Sequence, residues 1–296
     1  MHVRGNIMLL LAAFIWGTTF VAQMVGMDGL GPFSYAAARY ALGFLFLVGL
    51  WFVWQGPRRT AKQAGTYRPG WKAGLGAGCI MFLATSLQQV AMLYTTAGKT
   101  AFITALYIIF VPIGAAFLGN KIRWENWLGA VLALAGLYYL SIHGSVELSF
   151  GDVLVFVSAL FWTAHILFID RFACLVDPIE LSTTQIGICT LGSVIFALLW
   201  ETATVSAFTH AWFAIFYGGV MSAGVAFTLQ IVGQKYAEPS QAAIIMSFEA
   251  VFGAVSSWLI LGETMAPLQI LGCLLMLTGM IVTQLGPVLS RVRRSA

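Results

Sequence analysis

Charge is what this 296-residue chain has least of. Asp, Glu, Lys and Arg together number 26, or 9% of the sequence, against about 25% in soluble globular domains. A soluble protein of this length needs polar side chains to cover its surface. Too few are present for a soluble enzyme, a nucleic-acid-binding domain or a disordered chain. Cysteine is also scarce. Cys79, Cys189 and Cys273 lie in apolar runs and Cys174 in a short loop, and no pair has the spacing of a zinc site or of a secreted disulfide framework. They read as small apolar core residues. There is no P-loop and no soluble domain to house one, so ATP hydrolysis is excluded. Metal-ligand spacing and a nucleophile–base pair are likewise missing, so no cofactor is expected.

What is present is apolar: 60% of residues are hydrophobic and the mean hydropathy is +0.89. No single core can hide so much apolar surface, so the chain reads as an all-α integral membrane protein. Arg4 followed by the apolar run Ile7–Val25 looks at first like a signal peptide. That run is 19 residues, about 28 Å at ~1.5 Å per residue, which is long enough to span a bilayer, and further spans follow at once. Helices are predicted at roughly 5–25, 33–54, 72–94, 97–118, 125–142, 151–170, 179–200, 211–234, 239–261 and 267–288. Pro32, Pro178, Pro239 and Pro267 fall at or beside helix starts, where a missing N–H costs little.

Ten transmembrane helices place 13 of the 15 basic residues on one side. Only Lys99, at an outer helix end, and Arg39, inside the second helix, fall elsewhere. The positive-inside rule then sets both termini in the cytoplasm, N-in and C-in. A lead of only about four residues before the first helix argues against an organelle targeting peptide, so a bacterial inner membrane is the expected location.

The sequence also repeats. A shift of 146 puts Gly5, Ala13, Trp16, Pro32, Leu45 and Trp54 on Gly151, Ala159, Trp162, Pro178, Leu191 and Trp200. A shift of 142 puts Tyr94, Ala101, Ile103 and Phe110 on Tyr236, Ala243, Ile245 and Phe252. One residue of slip later, Gly129 and Gly136 match Gly272 and Gly279. Two five-helix halves, residues 1–145 and 146–296, must enter the membrane in opposite senses because five is odd. Such a 5+5 inverted repeat is the mark of secondary transporters that hold cargo near the midplane.

Trp16, the run Tyr94-Thr95-Thr96-Ala97-Gly98-Lys99, the stretch Glu238-Pro239-Ser240-Gln241-Ala242-Ala243, Leu261-Gly262-Glu263 and Gly272 to Gly279 carry a resemblance over nearly the full length. The chain resembles the drug/metabolite transporter superfamily, specifically EamA-type permeases with two five-helix repeats. The resemblance implies a small-molecule cargo without naming it, since such permeases export amino acids, nucleotide-related metabolites, sugars and drugs. The expectation for this chain is a small metabolite such as an amino acid, an amine or a drug-like solute. One departure stands out: the first half has Leu118-Gly119-Asn120 where the second has the acidic Leu261-Gly262-Glu263.

Polar residues inside spans are expensive and mark candidate sites. Glu249 lies at the centre of the ninth helix, where a carboxylate could bind a proton or a cationic amine. Its repeat counterpart is Tyr107. Arg39 could pair with Glu249, attract an anion or snorkel to the outer interface. His165, one turn from Trp162, could shuttle protons or be a hydrogen-bonded structural histidine. Gln88, Gln89 and Gln230 offer donors and acceptors to a neutral or zwitterionic solute, or bridge helices. Trp16 and Trp162 could line a central cavity or pack in the core. Pro112 could hinge the fourth helix, and Gly74, Gly76 and Gly78 permit close helix contact.

These observations point to a secondary active exporter working by alternating access, with proton coupling left open. The alternatives are an uncoupled facilitator and, more remotely, a membrane-embedded lipid-modifying enzyme using His165 and Glu249. The expected partners are a small-molecule substrate, the lipid bilayer and, if coupled, protons; no nucleic acid is expected, and the chain is a monomer or homodimer.

Overall fold

The computed structural model describes residues 2–55, 60, 62–95, 97–141, 149–261 and 266–295. Thr96, Gly262 and Glu263, named above, and Arg58 and Arg59, two of the 13 basic residues counted on the inner side, lie outside the described residues, as does the side chain of Lys99. The described chain is helical and contains no strand. α1 is His2–Gly26, α2 Pro32–Val53 and α3 Trp71–Ala91. A broken fourth unit follows as α4 Ala97–Thr104 and α5 Tyr107–Phe117, then α6 Trp124–Ser141. In the second half, α7 is Phe150–Ala173, α8 Pro178–Trp200 and α9 Val205–His210. α10 Trp212–Phe216 runs into a π-helical stretch, Tyr217–Ala226, and on into α11 Phe227–Gln234. α12 Pro239–Met246, α13 Glu249–Leu261 and α14 Pro267–Ser295 complete the chain.

Among the described residues, seven helices are long and apolar enough to cross a membrane. They are α1, α2, α3, the α4–α5 unit from Thr100, α7, α8 and the unit Trp212–Gln234. The other three expected spans are helical but fall short of that standard. α6 carries Glu125 and Asn126 at its start, the unit 239–261 is divided between α12 and α13, and α14 is apolar over Pro267–Thr283. All four expected prolines do start helices. Side chains hold other starts: Ser149 and Asp152 form a reciprocal cap on α7, and the Glu201 carboxylate accepts from the Phe33 and Ser34 amides of α2 at 2.9 and 2.7 Å. Negative charge is favoured at such helix ends.

Helices in lipid associate by close packing of small residues, and here the contacts obey the repeat. A Cβ on Gly129 would sit 2.7 Å from the Gly279 carbonyl oxygen, and one on Gly136 would sit 2.5 Å from that of Gly272. Since Gly129 corresponds to Gly272 and Gly136 to Gly279, α6 meets α14 through one self-complementary surface. A second matched pair lies elsewhere. Gly5 faces the Gly233 carbonyl and Tyr236, as Gly151 faces the Ala91 carbonyl and Tyr94.

The breaks obey the repeat too. Ala105–Leu106 separates α4 from α5, and Ser247–Phe248, 142 residues later, separates α12 from α13. At both points the backbone tightens to three-residue bonds, Ile108 N to Ala105 O at 3.0 Å and Ala250 N to Ser247 O at 3.1 Å. Pro112 is therefore not the cause of the interruption: it lies inside α5, and its counterpart Ala254 leaves the second break in place.

Gly136→Val is expected to cost about 1–3 kcal/mol, because its side chain would meet backbone that cannot move aside. The readout is the apparent Tm in detergent. Gly49→Ala, with open space around it, should leave Tm unchanged or slightly raised.

Candidate functional site

The two breaks meet at the centre. Tyr107 opens α5 and Glu249 opens α13, and the Tyr107 hydroxyl donates to Glu249 Oε1 at 3.1 Å. Repeat counterparts thus touch across the middle of the molecule, beside a cavity of about 60 Å³. That space admits several waters or one small solute. Both side chains line it, and the starts of two half-helices lie at its wall, as in transporters with discontinuous helices.

Arg39 also lines the cavity and is only 5% exposed. It neither snorkels outward nor pairs with Glu249. Its guanidinium bonds the Tyr40 hydroxyl at 2.9 Å and Gln89 Oε1 at 3.4 Å, and lies 4.5 and 5.5 Å from the ring centroids of Tyr40 and Tyr35. Aromatic faces hold a cation without cancelling its charge. Its Nε has no hydrogen-bond partner. Arg123 and Glu125, which do not line the cavity, form an ion pair at 3.0 Å.

Trp16, Trp162, Gln88 and Gln230 line the same space. The indole Nε1 atoms of both tryptophans and Gln230 Oε1 are buried without partners, whereas Gln88 donates to Thr104 Oγ1 at 2.7 Å. Seven of the nine residues singled out in the sequence therefore share one cavity. His165 and Gln89 do not line it. His165 is turned to α8, with Nε2 3.1 Å from Gln185 Oε1, and Gln89 stands behind Arg39, donating to Met27 Sδ at 2.8 Å. His165 follows Trp162 by three residues, about 60° away around a helix, which is enough to face another neighbour.

Sequence reasoning missed Phe20, Gln23, Tyr40, Thr85, Thr104, Ile166, Ser222, Phe227 and Met246, which complete the wall. For six of them the repeat holds a signal. The shift of 142 that puts Gln88 on Gln230 also puts Thr85 on Phe227 and Thr104 on Met246, and the shift of 146 that puts Trp16 on Trp162 puts Phe20 on Ile166, so a residue lining from one half marks its counterpart. The remainder, Gln23, Tyr40 and Ser222, have no repeat counterpart in the wall.

The EamA-like transporter family matches the chain twice, over residues 3–142 and 149–285. This chain belongs to that family. A protein from Archaeoglobus fulgidus described as an "Uncharacterized transporter" is 30% identical over 96% of this chain and 87% of its own. The threonine/homoserine exporter RhtA of Escherichia coli is 26% identical over 90% of this chain and 85% of its own. A crystal structure 18% identical in sequence aligns with a TM-score of 0.75 over 95% of this chain and 96% of that one, and shares its fold. This EamA-family member is accordingly a multi-pass membrane transporter, not an enzyme.

Tyr107→Phe leaves the buried Glu249 oxygen without its donor and should cost about 1–3 kcal/mol of stability. Glu249→Gln can still accept from Tyr107 and sheds a desolvated acid, so its Tm should match or exceed wild type. In the double variant the two effects should be non-additive, since the groups touch.

Proposed function

We propose that this EamA-family member is a secondary active exporter of a small zwitterionic metabolite of amino-acid type. One observation carries the reading: a guanidinium and a carboxylate face the same small cavity and are not paired with each other. A solute bearing one carboxylate and one ammonium satisfies both. Arg39 takes the carboxylate, and Glu249 takes the ammonium. The indole N–H groups of Trp16 and Trp162 and the carbonyl of Gln230 supply further donors and an acceptor, and the ring faces pack on the aliphatic part. A neutral sugar would leave both charges unmatched. The relative RhtA, a threonine/homoserine exporter, handles cargo of this chemical type.

The topology that goes with this function has ten spans in two oppositely oriented halves, 1–145 and 146–296, with both termini in the cytoplasm of a prokaryotic plasma membrane. The matched Gly129–Gly279 and Gly136–Gly272 contacts support halves related by a two-fold axis, and the distribution of basic residues supports the orientation. The halves rock about the central cavity and expose it to each side in turn. Glu249 is the coupling group: it carries either a proton or the ammonium of the cargo, not both.

Amino acids should raise the apparent Tm of the purified protein by mass action, and the matching amines and carboxylic acids should do so only weakly. Glu249→Gln and Arg39→Gln should each weaken amino-acid binding at least about tenfold, roughly the 1.4 kcal/mol of one charge-assisted contact. In proteoliposomes a pH difference should drive accumulation by wild type, while Glu249→Gln should only equilibrate. Equal binding of neutral solutes, untouched by either substitution, would refute the zwitterion; a wild type that never accumulates cargo would be a facilitator.

Cys174, an exposed free cysteine just beyond α7, reports orientation. A membrane-impermeant maleimide should label it in inverted vesicles and not in right-side-out ones. Labelling from the outside instead would reverse the topology.

A further inference from the structure

Phe227 occupies an unusual position between two environments. It begins α11 directly after the π-helical stretch and is 5% exposed. Its ring centroid lies 4.9 Å from that of Trp16, 6.1 Å from that of Trp162, nearly parallel at 12°, and 6.2 Å from that of His165, edge-on at 86°. The tryptophans line the cavity with it; His165 and its partner Gln185, both fully buried, do not. His165 Nδ1 and Gln185 Nε2 have no hydrogen-bond partner. Polar groups with unused capacity therefore lie outside the cavity, with the His165 ring against Phe227 and Trp162, which line it. Buried polar atoms are nearly always satisfied, so a pair left over in one place calls for a reason.

The repeat supplies one. Gln185 lies 146 positions after Arg39, and Phe227 lies 142 after Thr85. In the first half Thr85 and Arg39 both line the cavity; in the second half Phe227 lines it and Gln185 does not. The same architectural position is thus an open polar subsite on one side and a closed one on the other.

We propose that Phe227 is a specificity-determining residue of this transporter. Its ring sets the size limit on the cargo and seals a second polar subsite, formed by His165 and Gln185, which a longer polar side chain reaches once the ring is gone. The proposal rests on the zwitterion reading only for the choice of probes.

The test measures binding to the purified full chain of a graded series, alanine, serine, threonine, leucine, glutamine and histidine, and of the corresponding amines. Wild type should bind the small members and discriminate against the large ones. Phe227→Thr, which installs the residue its counterpart carries, should raise the binding of leucine, glutamine and histidine relative to alanine and serine by at least about tenfold. Adding Gln185→Leu should abolish the gain for glutamine and keep that for leucine. A folded Phe227→Thr protein with the wild-type size order would overturn the proposal, and a glutamine gain that survives Gln185→Leu would overturn the polar subsite. Should Phe227→Thr not fold, Phe227→Leu is read by the same criteria, with a smaller gain. If amines bind wild type and amino acids do not, the zwitterion reading fails and the size order is read on the amines.

Discussion

In a bilayer there is no water to satisfy a polar group, so each one must find its partner within the bundle, and the rest of this structure follows from that constraint. Backbone amides are satisfied by helices throughout the described chain. Helix pairs then approach through glycines, because hydrocarbon gives apolar side chains no preference for one another over lipid. Large side chains face outward in number: Phe117, Trp124, Leu198 and Val205 are among the most exposed. Many of the buried polar side chains, Arg39, Gln88, Gln230 and Glu249 among them, meet around one cavity. The site is the place where groups excluded from lipid collect.

The two halves agree in architecture and differ in chemistry. Tyr107 and Glu249 stand at equivalent breaks and touch, yet one is neutral and the other acidic. Trp16 and Trp162 keep their identity and both pack on Phe227. Gln88 and Gln230 also keep theirs, but only Gln88 finds a hydroxyl partner. A strictly symmetric site would present two acids or two cations, and like charges at one small cavity repel. Divergence between the halves is what allows opposite charges to face one space. The π-helical stretch Tyr217–Ala226 is a further asymmetry, since the matching part of α3 is regular. Gly219 and Gly224 let it press against Arg39 and Phe46, with notional Cβ atoms 2.6 Å from each. Such stretches often accompany functional sites.

Much of this was legible in the sequence, because hydropathy, proline positions and repeat identities report on the bilayer and on symmetry. The starts at Pro32, Pro178, Pro239 and Pro267, the shared cavity of Trp16 and Trp162, and the Tyr107–Glu249 correspondence all came from those signals. The breaks at Ala105–Leu106 and Ser247–Phe248 did not. Neither pair contains glycine or proline, and local propensity says nothing there. Helix faces were the other failure. His165 and Gln89 are polar, central and one or two positions from lining residues, but inside a bundle every face meets another helix. Composition shows that such a residue is buried, not against what.

Arg39 and Glu249 are kept apart, and that separation has a physical consequence. Paired directly, they would neutralise each other and leave a cavity with no reason to prefer any solute. Apart, each is held by weaker partners: tyrosine faces and an amide oxygen for the guanidinium, one phenolic hydroxyl for the carboxylate. Those contacts offset only part of the cost of burying charge. A solute that bridges the two groups recovers the remainder, and the recovered energy is available to a conformational change only to the extent that the second conformation holds the bridged cargo better. On the proposed reading, the alternating movement of the halves is therefore driven from the same two residues that choose the cargo. Closure around a solute that meets only one of them leaves the other charge buried and unpaired. Selectivity and transport then share a single origin in the electrostatics of one small cavity.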